Sequence, residues 1–429
     1  MKFEFIENEN KKITTEQMTF LEDLILISDE IQKGLGLRVS PMQISGNTVR
    51  FNGIAANIRL NDTKLIVKPK VTGADRPGMS LDGMMATLYL RILRTCKSHL
   101  NSVIYFTSMS AESVTENTFV DCMAQYYLDK LFASVRKLPI AVYDQCEEKR
   151  SAIKGKILIQ KELKSPIRDG RIWCRHKVMS CDNVYNALLK WCCKYFAENV
   201  SSRSLQYKLR QMADTLKGDL ETLSADAVRR MRLPRNFDAY REPFSIAREI
   251  YLYHDQNTKL RTGNGNVCGY VINMERAFEN ILCYYMERFS VKKQLLHVAQ
   301  ADRILAKADG RGADKDIHIR PDDLLIKGES KLVLDAKYKQ MEKGDKPARE
   351  DLYQMIASCM AHGTYEALLM YPCGETCEDV WTVANPVDEN YYKIYIDKID
   401  IFADDQTIIE QISRAVYRSR FAEVMCGKI

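Results

Sequence analysis

The sequence predicts an α/β protein. An N-terminal mixed α+β and helical region precedes a C-terminal domain with one central mixed sheet flanked by helices. Two observations carry this expectation. Apolar residues recur at helical and at strand periods in alternating blocks along the whole chain. A polar, glycine-bearing stretch, HDQNTKLRTGNGNVCG at 254–269, separates two textures. The boundary expected there gives domains at 1–255 and 268–429.

The first region opens with a helical pattern near 15–34. Val49–Asn57 and Ile58–Val71 then read as short strands, with Asn61-Asp62 at a turn, Leu65 and Val67 alternating with their neighbours, and Pro69 ending the hairpin. GADRPG at 73–78 is a loop, and Ser80 is placed to cap the helix that follows. A long amphipathic helix is expected over Thr118–Val135, a basic strand over 150–163, and helices over about 182–198 and 204–221.

Beyond the boundary, Val271–Phe289 reads as a helix with Met274, Phe278, Ile281, Tyr285 and Phe289 on one stripe. Gln294–Ala299, Asp316–Ile326 and Lys331–Tyr338 read as strands, the last two joined by the turn Lys327-Gly328-Glu329-Ser330. Pro347–Met360 is a helix with proline in its first turn, and Ala367–Pro372 is a buried strand. Strands near 379–384 and 391–396 and a helix near 405–419 extend this unit. The order helix–strand–strand–strand–helix–strand is that of a central sheet covered by helices.

Composition narrows the function classes. At 429 residues with 46% apolar and 28% charged residues, the chain has an ordinary globular balance and material for more than one domain. MKFEFIENENKK has no apolar run of the signal-peptide kind, and no stretch approaches the roughly 20 apolar residues that span a bilayer, so a soluble, cytoplasmic protein without membrane contact is expected. The 13 cysteines include no Cys-x-x-Cys pair, and the 6 histidines are scattered singly, which speaks against a zinc-finger-like site. Residues 136–241 hold 23 Lys/Arg against 12 Asp/Glu within a chain of net charge +6. A basic middle beside an acidic remainder suits a polyanion or an acidic protein partner, although solvated helices also carry such charge. No Gly-x4-Gly-Lys-[Ser/Thr] loop is present, so nucleotide phosphates are not bound in that manner.

The segment RPDDLLIKGESKLVLDAKYK at 320–339 carries the chemistry. A hairpin turning at Gly328-Glu329 sets Asp322 opposite Asp335, with Cβ atoms roughly 5 Å apart. Lys337, two residues on, shares the face of Asp335. Like charges directly opposite destabilise a sheet unless a cation neutralises them. Two such carboxylates suit Mg2+ or Mn2+, and a lysine beside them can orient or deprotonate a water or stabilise developing negative charge. The parts fit phosphodiester hydrolysis. The plainer reading makes Asp322-Asp323 a turn and Lys337 and Lys339 an exposed basic edge.

On these residues the sequence resembles the McrC subunits of McrBC restriction systems, a branch of the PD-(D/E)xK nucleases. The resemblance rests on Arg320-Pro321-Asp322, Asp335-Ala336-Lys337-Tyr338-Lys339, Tyr353-Gln354 and Tyr371-Pro372. It extends more loosely to Thr63–Val71, to Tyr143 with Ile153-Lys154-Gly155-Lys156, and to Cys181-Asp182-Asn183 with Asn186. Lys154 stands where arginine is commoner. The resemblance implies a metal held by Asp322 and Asp335, with Lys337 at the attacking water. Glu279 corresponds to an additional acidic position and Gln354 to a glutamine facing the site. Glu275 and Glu279 are also an i, i+4 pair of the kind solvated helix faces carry, Gln354 can equally face water, and His318 can be structural. The implied function is a Mg2+- or Mn2+-dependent endonuclease subunit acting on double-stranded, methylated DNA. Its implied partner is a McrB-like AAA+ GTPase hexamer, docked on and stimulated by the N-terminal half. A non-catalytic adaptor and a stand-alone repair nuclease are the alternatives.

Overall fold

The computed structural model describes residues 2–60, 63–70, 81–95, 103–106, 118–164, 170–259, 267–307, 316–341, 345–372, 379–384 and 391–425. The turn at Asn61-Asp62, the loop at 73–78 and the cap at Ser80 lie outside them. Two compact units form: residues 1–108 together with 265–429, and residues 109–264. This corrects the expected division into 1–255 and 268–429. The cause is a long-range pairing. The strand Val267–Asn273, expected in part as helix, lies antiparallel between Ile54–Leu60 and Val103–Phe106. The chain therefore returns to its N-terminal sheet before it builds the C-terminal one, and residues 109–264 are an insertion.

In the first unit that sheet has five strands in the order Lys2–Ile6, Thr63–Lys68, Ile54–Leu60, Val267–Asn273, Val103–Phe106. Leu65, Ile66 and Val67 are all buried, where alternation predicted an open face. Consecutive burial means that both faces are covered. The helix Thr15–Leu35 begins in a capping box, Thr14 accepting from the Gln17 N–H and Gln17 reaching back to Thr14. Asn273 ends the inserted strand and caps the helix Met274–Lys293 by accepting from the Arg276 N–H at 3.2 Å. The expected stripe of Met274, Phe278, Ile281, Tyr285 and Phe289 is buried along its length.

The C-terminal sheet has six strands in the order Leu296–Ala299, Asp323–Lys327, Ser330–Ala336, Glu366–Pro372, Tyr391–Ile399, Val380–Ala384. The two junctions that flank Glu366–Pro372 are parallel and the others antiparallel, so the sheet is mixed as expected. The hairpin register is also as expected: Asp323 pairs with Leu334 and Lys327 with Ser330, and Gly328 takes the left-handed conformation of the turn. The single strand expected over Asp316–Ile326 is instead two. Ile317–Ile319 pairs with Arg303–Ala306, and the main sheet resumes at Asp323. Pro321 lies at the break. Continued register would make Ala336 and Pro321 the next hydrogen-bonded pair, and proline has no N–H to give. The helix Arg349–His362 brings Met355 and Cys359 into the apolar layer with Leu324, Val333, Leu369, Tyr371, Ile394 and Ile396.

In the second unit, Tyr127 on the helix Thr118–Lys137 donates to the Leu189 carbonyl of the helix Val184–Asn199 at 2.8 Å. Cys192 and Cys193 are fully buried on the latter helix, where cysteine packs as a small apolar residue. Asn183 caps that helix, and Asn183 and Asn186 both donate to the Ile140 carbonyl, at 3.1 and 2.9 Å. The Asn-x-x-Asn pattern thus fastens a helix start to an incoming chain. The basic strand expected at 150–163 is corrected. Val142–Arg150 ends there, Gly155 turns with a φ of 75°, Lys156–Ile157 makes a short pairing, and Ile159–Leu163 is helical. Both strands pair with Ile172–Ser180. Among the described residues no helix is long and apolar enough to cross a membrane.

Candidate functional site

The strand Ser330–Ala336 delivers Asp335 and, just past its end, Lys337. Asp322 stands immediately before the facing strand. The ladder stops one pair short of the expected Asp322–Asp335 pairing, and the Asp322 side chain takes over. Its Oδ2 accepts from the Ala336 N–H at 2.8 Å, and its Oδ1 accepts from Gln300 Nε2 at 3.0 Å. The two aspartates still act on each other. Asp322 is pushed up to about 8, first by burial and then by the charges of Asp335 and Glu279. Asp335, 2% exposed, is also raised by burial, against the opposing pull of Lys337.

Lys337 and Gln354 close a ring around Asp335. Lys337 Nζ lies 2.6 Å from Asp335 Oδ2, an ion pair rather than an aligned hydrogen bond. The same ammonium donates to Gln354 Oε1 at 2.7 Å, and Gln354 Nε2 donates to Asp335 Oδ1 at 3.2 Å. Burial works against the charge on Lys337, but Asp335 outweighs it, and the lysine is held above its ordinary range. Gln354 reaches Lys337 and Asp335 because the helix Arg349–His362 packs on the sheet face that carries Val333 and Asp335.

Glu279 comes from a third element, the helix Met274–Lys293. It is pushed up to about 7 by burial, then by Glu275 and Asp335, with Lys337 acting in the opposite sense. Its separation from a solvated helix face is physical: Glu275, one turn earlier, is exposed, whereas Glu279 is half-buried beside the aspartates. All five residues singled out in the sequence therefore converge. Three carboxylates crowded in a part-buried place, each held toward its neutral form, are a ready donor set for a hard divalent cation.

Further neighbours complete the surroundings of these residues. Gln300, in a left-handed conformation at a φ of 50°, fixes Asp322. Asp351 accepts twice from Lys339 Nζ, at 2.8 Å each, and once from the Tyr371 hydroxyl at 3.3 Å. Tyr338 donates to Glu7 Oε2 at 2.8 Å, and Lys70 Nζ sits 4.5 Å from the centroid of its ring. The Pro-Lys of the N-terminal strand motif thereby meets the residue after Lys337. His318 and Arg320 both pair with Asp302, at 2.8 and 2.9 Å, and belong to an exposed ion-pair group. Asp323, in sequence beside Asp322, is fully buried against His297 Nε2 at 2.6 Å.

A family model described as the McrBC 5-methylcytosine restriction system component matches residues 49–372. No curated protein matches the chain. Among solved structures, a chain of the refined half-complex from the tetradecameric assembly of Thermococcus gammatolerans McrB AAA+ hexamers with bound McrC is similar. It is 14% identical with a TM-score of 0.59, covering 96% of this chain and 100% of that one. A chain from the cryo-EM structure of the Thermococcus gammatolerans McrBC complex is 12% identical with a TM-score of 0.45, covering 67% and 88%. The first of these shares the fold across nearly the whole length of both chains. The resemblance to McrC expected from the sequence is borne out.

Proposed function

This chain belongs to the family of McrBC 5-methylcytosine restriction system components, and from that premise we propose that it supplies the system's metal-dependent DNA endonuclease, in a domain of the PD-(D/E)xK kind. The observation that carries the reading is the convergence of Asp322, Asp335, Glu279, Lys337 and Gln354 from three separate elements on one part-buried place. A sheet gains nothing from such crowding unless a cation joins it.

Asp322 and Asp335 are the ligands for Mg2+ or Mn2+, with Glu279 the third carboxylate beside them. The donor set is all oxygen, as hard cations require. The bound metal would supply Lewis-acid stabilisation of the phosphate and a more acidic water. The protein's own groups do the remainder. Lys337, kept charged by Asp335, has three N–H donors. Asp335 and Gln354 engage two of its directions, leaving the third for the attacking water or a phosphate oxygen. Gln354 holds the ammonium and the carboxylate in register through its two ends. Gln300 and the Ala336 N–H orient Asp322.

The substrate is double-stranded DNA, methylated as the family's description indicates. The partner is a McrB-like AAA+ GTPase hexamer, of the kind bound by McrC in the Thermococcus gammatolerans assembly. Docking and stimulation of that GTPase belong to the part of the chain outside the C-terminal sheet, foremost the basic 109–264 unit. The test is cleavage of methylated plasmid by this chain with its partner GTPase. Asp335→Ala should abolish cleavage, and cleavage at the wild-type rate would refute the assignment.

A further inference from the structure

The antiparallel ribbon of Val142–Arg150 and Ile172–Ser180 carries a polar cluster that DNA cleavage does not use. In its register Cys146 faces His176, and Glu148 faces Cys174. Residues two apart on a strand share a face, so the four side chains form one square on one side of the ribbon. Cys174 and His176 are 0% and 6% exposed, while Arg175 and Lys177 between and beyond them are exposed. One donor atom from each of Cys146, Glu148 and His176 lies within 4.8 Å of the other two.

The state of His176 points independently to a ligand. Its Nε2 stands 3.4 Å from Glu148 Oε1, and its Nδ1 is buried with no hydrogen-bond partner. A buried nitrogen left without a partner is unfavourable, and a ligand there would relieve it. Gly155 presses the neighbouring turn onto this histidine. A Cβ there would stand 3.0 Å from His176 Cβ and 2.3 Å from the Arg175 carbonyl oxygen.

We propose that Cys146, Glu148 and His176 form a second metal site, distinct from the carboxylate centre, that takes zinc(II). One thiolate, one imidazole and one carboxylate are a borderline-soft donor set, suited to zinc and not to magnesium. Zinc bond lengths of about 2.0–2.3 Å bring tetrahedral donors to roughly 3.5 Å from one another. A contraction of about 1 Å by the half-buried Cys146 and Glu148 side chains is therefore sufficient. Arg150 holds Glu148 Oε1 at 2.5 Å, which anchors the carboxylate beside the histidine. The fourth position is open to water, and Cys174 forms the buried floor beside it. The ligands come from two strands, so no linear cysteine spacing announces them. In the similar trio Cys283, His297 and Asp323, the histidine and aspartate are already joined at 2.6 Å.

Cobalt(II) titration of the full-length, chelator-stripped protein tests the site, because a thiolate ligand gives cobalt a charge-transfer absorption. The wild type should show that band at one equivalent, and zinc should displace it. Cys146→Ser should abolish the band and Cys283→Ser should leave it. His176→Gln should weaken binding by more than about 100-fold, beyond the 10–100-fold of losing an outer-shell partner. If His176→Gln does not fold, Cys146→Ser, at a half-buried position, decides alone. No band in the wild type, or a band that survives Cys146→Ser, overturns the proposal.

Discussion

Lys337 Nζ lies 2.6 Å from Asp335 Oδ2, two residues back along the same chain, and Gln354 bridges both groups from the helix above. The bridge makes Gln354 a positioning residue for the pair. Gln354→Ala should lower kcat for DNA cleavage by roughly 10–100-fold, the usual cost of losing a partner that orients a metal-site group. KM for DNA and thermal stability should change little. Gln354→Glu would put a fourth acid in the cluster and should not restore the rate. A cleavage rate unchanged in Gln354→Ala would return this side chain to a solvated role.

The crowded carboxylates make a thermodynamic prediction that needs no DNA. A ligand that binds only the folded state stabilises it by about 2.7 kcal/mol at 100 times its Kd. Mg2+ or Mn2+ should therefore raise the Tm of the wild type. Asp335→Asn removes the ligand's negative charge, so it should shrink the metal-induced gain. Equal gains in both proteins, measured by calorimetry, would contradict a metal held by Asp335.

Glu249 lies far in sequence from this chemistry, on the helix Arg241–Lys259 of the 109–264 unit, and is 6% exposed. Burial pushes its carboxyl up to about 7, with Arg248 acting the other way. A folded-state value above the unfolded one means that the group favours folding at low pH. That contribution is complete below about 4.5 and is lost as the pH rises through 7. The loss is of order 3 kcal/mol by pH 8. Wild type should therefore lose more stability between pH 5.5 and 8 than Glu249→Gln, whose side chain stays neutral. Parallel denaturation curves for the two proteins at both pH values would refute this.

The parts of the site that the sequence reveals are those fixed by local chain geometry. Gly328 sets the turn, the turn sets the register, and the register puts Asp322, Asp335 and Lys337 together. Gln354 and Glu279 follow from resemblance, because helix periodicity alone does not say which neighbour a polar face meets. Gln300 and Glu7 reach the site only through pairings distant in sequence, and nothing in their own neighbourhoods marks them; Lys70 lies in the Thr63–Val71 motif, but which residue it meets is set by the fold. The domain division fails for the same reason. VCGYVIN runs without a break into a helical stripe, and its partners in the sheet lie some two hundred residues earlier. Pro321 was visible as a residue, but its effect on the ladder depends on which pair falls opposite it.

Assaying one mixture for two activities separates DNA cleavage at the Asp322/Asp335/Lys337 centre from support of the partner GTPase. Lys337→Ala and Asp335→Ala are each combined with the partner GTPase and methylated plasmid, and GTP turnover and DNA cleavage are read from the same tube. Neither change touches the 109–264 unit, so both variants should stimulate GTP hydrolysis as the wild type does. Cleavage should fall by about 1000-fold or more, since several kcal/mol of transition-state stabilisation leave with either group. Cleavage that persists in both variants while GTP turnover is intact would place the nuclease in another subunit.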